Sequence, residues 1–530
     1  MRTTKTSWDT ITCLRTSEVF VRQPPSSSPA VPMRILLPMI LVLLTLSSGT
    51  GVAQTAVQED KAERAKAALN SGKYDESAAL YAELVRELPA LPGLKMNLGM
   101  ACFSGGRYSE AVKYLSLAVQ GDPGLSQAWL LLAAAQLEVG RFRESAQAAR
   151  RYLKDKPGDP NALQILGDAL LRGAEYLKSA EAFEQAVQKA PGSAKAWYGL
   201  GKAYEGLAGE AFARLEKAAP ESGYWFALIA DSRVAQKQYA GAFYFYNKAL
   251  EKQPRLRGIH VAISRVYRLT EHPEWAAREE QKELDLGEPS CAAEPFVCAF
   301  LDGRLQELLR LTLKSLSPES YYWQSQACNL LATAAFSKLT QLPPSLEAHE
   351  LRAEISRSQG RHWESVKEWE AALSLSPGDP RLERELALSL YLKRDYEAAK
   401  KLIERLLKNE PNSAELNYLI GDILLYEEKV EGAVPYLLKA VNLNPGMTGA
   451  HSALGRAYMD LGEAEKAIPH LKSALRTDED GSLHFQLSRA YQKTGREQLA
   501  RDTLAQYEEI AKLKKTEDEK VLQDLKITPP

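Results

Sequence analysis

The chain is poor in the residues from which active sites are built. It has five cysteines in 530 residues, no Cys-x-x-Cys, and no histidine close to Cys291 or Cys298, so a tetrahedral zinc site has no ligand set to draw on. There is no H-E-x-x-H, no glycine-rich phosphate loop and no G-x-S-x-G, which leaves metalloprotease, P-loop and α/β-hydrolase chemistry without their signatures. The seven histidines are scattered: His349, His451 and His484 are expected to pack between helices, His272, His362 and His470 to lie at the surface, and His260 near a helix start. Neither sign of charge is in excess, with 67 Lys+Arg against 68 Asp+Glu, so nucleic acid and acidic membranes have no electrostatic hold on the chain as a whole. Arg141, Arg143, Arg150 and Arg151 read as one solvated helix face. These absences make a non-enzymatic chain without cofactor, metal or nucleic-acid partner the expectation.

What is present is a 34-residue period. It shows at Leu98-Gly99, Gly106, Tyr108, Ala111, Leu115, Ala118 and Pro123, and returns at Leu166-Gly167, Ser179, Phe183, Ala186 and Pro191. The same offsets recur at Ile420-Gly421, Ala433, Leu437, Ala440 and Pro445, and at Leu454-Gly455, Tyr458, Gly462, Ala467, Leu471 and Ala474. Spacings of three and four put side chains on one helix face, so each period reads as two helices with their apolar faces together. Small residues at places 8 and 20 allow close approach, and Pro near place 32 ends the second helix. Trp129, Trp197 and Phe226, at place 4, are expected to fill the gap to their own second helix. Such a period makes a solenoid with one continuous core.

The pattern resembles the tetratricopeptide repeat, which implies an all-α, right-handed α-solenoid of helix-turn-helix units. On that resemblance an N-terminal array spans 54–287, with a shortened unit at 194–222 whose second helix is squeezed into Glu210–Ala219 and a weak one at 257–287. A C-terminal array spans 346–510. Residues 288–345 break the register and read either as two degenerate units or as a helical spacer. Residues 511–530 form a charged C-terminal cap and tail, without the alternating strands of a barrel. In the resembling family the first helix of each unit lines a concave protein-binding surface. Carried onto this chain, that surface comprises Asn97, Gln164, Asp168, Tyr198, Lys202, Arg384, Tyr391, Tyr418, Asp422, Arg456 and Arg489. Tyrosine and arginine suit polypeptide recognition. The set departs from the lysine–asparagine clamp with which some family members hold a C-terminal carboxylate.

Three further features bear on function. Residues 1–32 read as a disordered extension, from a start codon placed upstream of Met33. Met33-Arg34, the apolar run Ile35 to Leu46 and the small residues up to Ala53 read as a signal peptide over 33–53, since the run is short of the roughly 20 residues a spanning helix needs. A periplasmic or secreted protein, with no integral membrane domain after cleavage, is expected; an uncleaved inner-membrane anchor is the rival. In that oxidising setting Cys291 and Cys298 form a disulfide, or one of the two pairs with Cys328, or they stay free. The aromatic run Tyr224, Trp225, Phe243, Tyr244, Phe245 and Tyr246 is either a partner-contact patch or core filling. The leading expectation is a protein- or peptide-binding scaffold of the bacterial cell envelope. An adaptor subunit for a separate enzyme or export complex is the alternative, and a carbohydrate-binding solenoid would need Trp225, Trp323 or Trp363 exposed and aligned.

Overall fold

A computed structural model describes residues 52–478, 480–524 and 526–530, and among them every regular element is a helix, without a strand. The expected extension over 1–32, and the signal segment except its last two residues, lie outside the described residues. Four helical hairpins come first: α1 (Val52–Asn70) with α2 (Tyr74–Glu87), α3 (Pro92–Ser104) with α4 (Tyr108–Gly121), α5 (Ser126–Glu138) with α6 (Phe142–Asp155), and α7 (Pro160–Arg172) with α8 (Tyr176–Lys189). A long helix follows, α9 (Ala194–Ala218), then six shorter ones: α10 (Gly223–Ala235), α11 (Tyr239–Lys252), α12 (Ile259–Leu269), α13 (Pro273–Asp285), α14 (Pro295–Leu301) and α15 (Leu305–Thr312). A second long helix, α16 (Pro318–Gln341), leads into α17 (Leu346–Ser358) with α18 (His362–Leu375), α19 (Pro380–Leu392) with α20 (Tyr396–Asn409), and α21 (Ala414–Tyr426) with α22 (Val430–Leu443). The last hairpins are α23 (Thr448–Asp460) with α24 (Ala464–Ala474), and α25 (Ser482–Lys493) with α26 (Glu497–Asp524).

Each hairpin follows from a few residues. At place 8 the glycine has no room for a side chain: a Cβ added to Gly167 would lie 2.8 Å from the Phe183 ring, and one on Gly421 would lie 2.6 Å from Leu437 Cγ. Gly99 and Gly455 stand in the same way against Leu115 and Leu471. The serine at place 20 adds a hydrogen bond across the contact, Ser145 Oγ donating to the Ala133 carbonyl at 2.7 Å and Ser179 Oγ to that of Gly167 at 2.8 Å. The turn inside each hairpin passes through one left-handed residue, at Gly72, Gly106, Gly140 and Ala174, and again at Gly360, Arg394, Glu428 and Gly462. Place 4 serves two purposes: Phe226 stacks on Phe245 of its own second helix, as expected, while other place-4 side chains also reach back to the preceding unit. The indoles of Trp129 and Trp197 donate to the carbonyls of Pro123 and Pro191 at 3.0 and 2.8 Å, and Asn417 does the same to Pro411 at 3.0 Å.

The separate short helix expected over Glu210–Ala219 does not form. Ala194–Ala218 is one helix, because no proline interrupts it and Ala208, where the next left-handed turn falls due, lies inside the helix. The partner of α9 is α16, packed along its length. A Cβ on Gly201, at place 8, would strike the Phe336 ring on α16, as Cβ atoms on other place-8 glycines strike a residue sixteen positions on. Ala332 and Leu339 are buried four residues before and three after Phe336 and so stand at places 20 and 27. The first half of α9 and the second half of α16 therefore form one hairpin unit, interrupted by roughly 120 residues. The solenoid resumes at α17, which packs on both α9 and α16.

The interruption has its own core. Trp225, Phe243, Tyr246, Ile263 and Tyr267 pack with Val297, Leu308, Tyr322 and Trp323, closing α10–α15 against the opposite halves of the two long helices. Cys291 and Cys298 are joined in a disulfide, with Cα atoms 5.5 Å apart, across the loop before and into α14. Cys102 and Cys328 are free and buried, and burial pushes the Cys328 thiol up to about 12. No described helix is long and apolar enough to cross a membrane.

Candidate functional site: the inner wall of the solenoid

First helices of successive units touch one another, α3 with α5, α5 with α7, α7 with α9, α9 with α17, and α21 with α23, to a degree the second helices do not. The side of a stack where neighbours approach more closely is the inside of its curve, so the first helices form the inner wall. The long insertion leaves this wall unbroken, because α17 follows α9 directly.

Polar side chains on the wall are tied from unit to unit. Lys195 on α9 meets Asp168 on α7 at 2.8 Å. Across the insertion, the Tyr198 hydroxyl and the Lys202 ammonium donate to the two oxygens of Glu354 on α17, at 3.1 and 3.3 Å. Arg381 on α19 reaches back to Glu350 at 3.0 Å, and Arg357 reaches forward to Glu385 at 2.5 Å. Within one unit, Arg384 donates to both oxygens of Glu410 at the end of α20, at 2.8 and 2.6 Å. Asp422 on α21 accepts from the Tyr391 hydroxyl at 2.6 Å and from Arg456 at 2.8 Å, linking α19, α21 and α23. Charge-assisted bonds of this kind fix the side chains that make them.

Burial and neighbours set the electrostatics. Burial works against ionisation of Glu354, yet Lys202 and Arg357 hold its carboxyl below the usual range. Asp168, against the same opposition from burial, keeps Lys195 above the usual lysine range. Three carboxyls respond the other way. Burial raises Glu138 and, despite Arg381, Glu350, and burial with the nearby Glu385 lifts Glu415 to about 7 despite Arg384 and Arg357. The Tyr418 phenol is pushed up to about 12 by burial. The wall thus presents neutral tyrosines, paired charges and a carboxyl poised near neutrality.

The expected surface residues divide among several situations. Asp168, Tyr198, Lys202, Tyr391, Asp422 and Arg456 belong to the inter-unit ties, Arg384 is paired with Glu410 inside its own unit, and Tyr418 lies beside the ties on α21. Gln164 is buried, and Arg489 is exposed on α25. Asn97 is half-buried and stands one place from the register of the others, where Met96 is buried. Glu350, Glu354 and Arg381 were missed, although they occupy places 5, 9 and 2, the offsets from which their partners were chosen.

Of the aromatic run, Trp225, Phe243 and Tyr246 are core. Tyr224, Tyr244 and Phe245 are half-buried, with Phe245 stacked on Phe226 at 6.1 Å between centroids. The alignment of exposed tryptophans required for a sugar-stacking surface does not exist: Trp225 and Trp323 are 7% and 2% exposed, and Trp363 alone of the three is open, at 61%. Helical spacing explains the difference, since Phe243 and Tyr246 share the face of α11 that turns to the core.

Comparison with known proteins follows the same register. A family model described as tetratricopeptide repeat matches residues 63–126, 165–210 and 384–448, and a second of that description matches 103–169 and 424–484. These matches leave out the interruption between α9 and α16. A curated relative, DnaJ homolog subfamily C member 3 of Gallus gallus, is 23% identical over 244 residues, 41% of this chain and 47% of that protein. The chain thus spans about half the length of this relative. Among solved structures, a tetratricopeptide repeat protein from Parabacteroides merdae is 15% identical, covering 63% of this chain and 99% of that one with a TM-score of 0.32. YrrB, described as a TPR protein with an unusual peptide-binding site, is 20% identical over 34% of this chain and 91% of its own, with a TM-score of 0.28.

Proposed function

The chain is a tetratricopeptide repeat protein, and from that premise we propose that it is a non-enzymatic scaffold of the bacterial cell envelope that holds a protein or peptide along its inner wall. The observation that carries this reading is the ladder of ties from Asp168 to Arg456. It fixes tyrosine, arginine and carboxylate groups at intervals along a continuous surface, which suits an extended chain presenting many weak contacts. Ionisable groups along the ladder are engaged by neighbouring units, an arrangement that stiffens a wall rather than freeing a nucleophile or base. The apolar segment Ile35–Leu46 and the Cys291–Cys298 disulfide support an exported protein, because disulfides persist in oxidising compartments.

The test is site-specific photocrosslinking from Leu425, on the same helix as Tyr418 and Asp422, in cells producing the full chain. A discrete polypeptide adduct is expected in the periplasmic or membrane fraction, on a protein whose mature N-terminus follows Ala53. The adduct should fall at least tenfold on Arg456→Glu, which reverses the charge beside Asp422. An intact N-terminus in the cytoplasm would overturn export. An adduct indifferent to Arg456→Glu would overturn the binding surface.

The interruption favours one second reading. A module standing off a complete solenoid gives the chain two separable surfaces, as an adaptor needs: the inner wall for a substrate and the module for an enzyme or export complex.

A further inference from the structure

The last described residues return to the inserted module. Helix α26 packs its first turns on α25 and runs for 28 residues, about 42 Å at 1.5 Å per residue. Beyond it, the side chain of Ile527 packs against the module's core cluster, and the Tyr267 hydroxyl donates to the main-chain carbonyl of Thr528 at 2.6 Å. Tyr267 is on α12, and its ring is held by Phe243 and Trp275 with centroids 5.4 and 5.6 Å away. Trp275 is braced in turn by His272, stacked on it at 3.9 Å. Lys526, Thr528, Pro529 and Pro530 are exposed, so one aliphatic side chain and one main-chain carbonyl make the contact.

We propose that this notch beside Tyr267 is a docking site for an extended peptide segment with an aliphatic residue followed by a free main-chain carbonyl, and that residues 526–530 occupy it in cis. Three features point to a docking site. The phenol is preset by aromatic packing, so the donor is aimed before a segment arrives. It recognises a main-chain atom, which any extended segment carries. Proline at 529 and 530 has no N–H to offer and favours the extended conformation of the residue before it, which keeps Thr528 open for recognition by its carbonyl. Two contacts are few for a free peptide, but a tethered one meets the notch at an effective concentration in the millimolar range. A partner carrying the same kind of segment, and held elsewhere on the solenoid, competes on equal terms and releases α26. The notch is built from residues of the module and shares none with the inner-wall ties, so its failure and that of the scaffold reading are separable.

Hydrogen exchange on the full chain tests this. In Ile527→Asp, exchange should rise tenfold or more in residues 259–269 and in the last turns of α26, with the solenoid unchanged. A synthetic peptide of the sequence 524–530, added in trans at millimolar concentration, should restore protection to residues 259–269 of that variant and leave α26 unprotected. Tyr267→Phe, which keeps the ring and removes the donor, should weaken the peptide's effect. Unchanged exchange in Ile527→Asp would overturn the docking. Failure of the peptide to protect would overturn a site that accepts a segment in trans.

Discussion

Ala174, Arg394 and Glu428 hold left-handed backbone, with φ of 56, 65 and 59°, at the place where Gly72, Gly106, Gly140, Gly360 and Gly462 stand in other units. For a residue with a Cβ that conformation costs roughly 1–2 kcal/mol, whereas glycine forgoes about 0.5–1 kcal/mol through the freedom of its unfolded chain. Ala174 is exposed and gives up no packing, so the strain decides. Ala174→Gly should raise stability by about 0.5–1 kcal/mol in urea denaturation; a loss would mean that the turn is not strained. At this scale much was legible in the sequence. The glycines at place 8, the small residues at place 20 and the prolines that end units could be read off because each obeys a local steric rule. The partners of inner-wall residues could not. Glu354 meets Tyr198 and Lys202 from more than 150 positions away, and no local spacing announces such a pair.

Helix α9 shows how a missing signal carries information at the scale of elements. The left-handed turn recurs at 72, 106, 140 and 174, and the next, due at 208, is absent. Reading Glu210–Ala219 as a squeezed second helix assumed that a hairpin's halves are neighbours in sequence. Packing demands only that they be neighbours in space, and Phe336 supplies from α16 what a nearby residue supplies elsewhere. Two glycines in α9 separate these ideas. A Cβ on Gly201 would strike Phe336, while one on Gly209 would meet nothing within 4 Å. Alanine is favoured over glycine in a helix by about 1 kcal/mol, and overpacking costs about 1–3 kcal/mol. Gly209→Ala should therefore stabilise by up to about 1 kcal/mol and Gly201→Ala destabilise by up to about 2 kcal/mol. Adding Phe336→Leu to Gly201→Ala should recover part of the loss. Additive effects in that double-mutant cycle would break the equivalence of Phe336 with Phe183.

The molecule as a whole is a solenoid with a module mounted on two long helices, and their junction carries a pH dependence. Asp231 on α10 accepts from the Tyr246 hydroxyl at 2.6 Å and from Gln326 on α16 at 2.7 Å. Burial nonetheless lifts its carboxyl to about 6, with Arg265 as the nearby cation that opposes the shift. A carboxyl raised in the folded state favours folding fully when protonated in both states, below about pH 4, and loses that contribution as pH climbs through 6. The module's attachment should weaken from pH 4 to pH 6.5. Asp231→Asn should flatten that trend in hydrogen exchange of α10 and α11; an unchanged slope would assign it to other groups. Fold class and the repeat were readable at this scale, while the module's placement was not, because it depends on contacts between segments far apart in the chain.

The interrupted unit also sets a timetable. Chains emerge from the ribosome at about 5–20 residues per second, so Phe336 follows Gly201 by something like 7–27 s. Throughout that interval the face of α9 that packs on α16 is unfinished, with the hairpins before it already able to close. The six shorter helices emerge inside this window and can assemble only against half of their support. Synthesis of this chain thus includes a pause in assembly that an uninterrupted array of the same units would not have, and any factor that shields nascent apolar helices has its moment there.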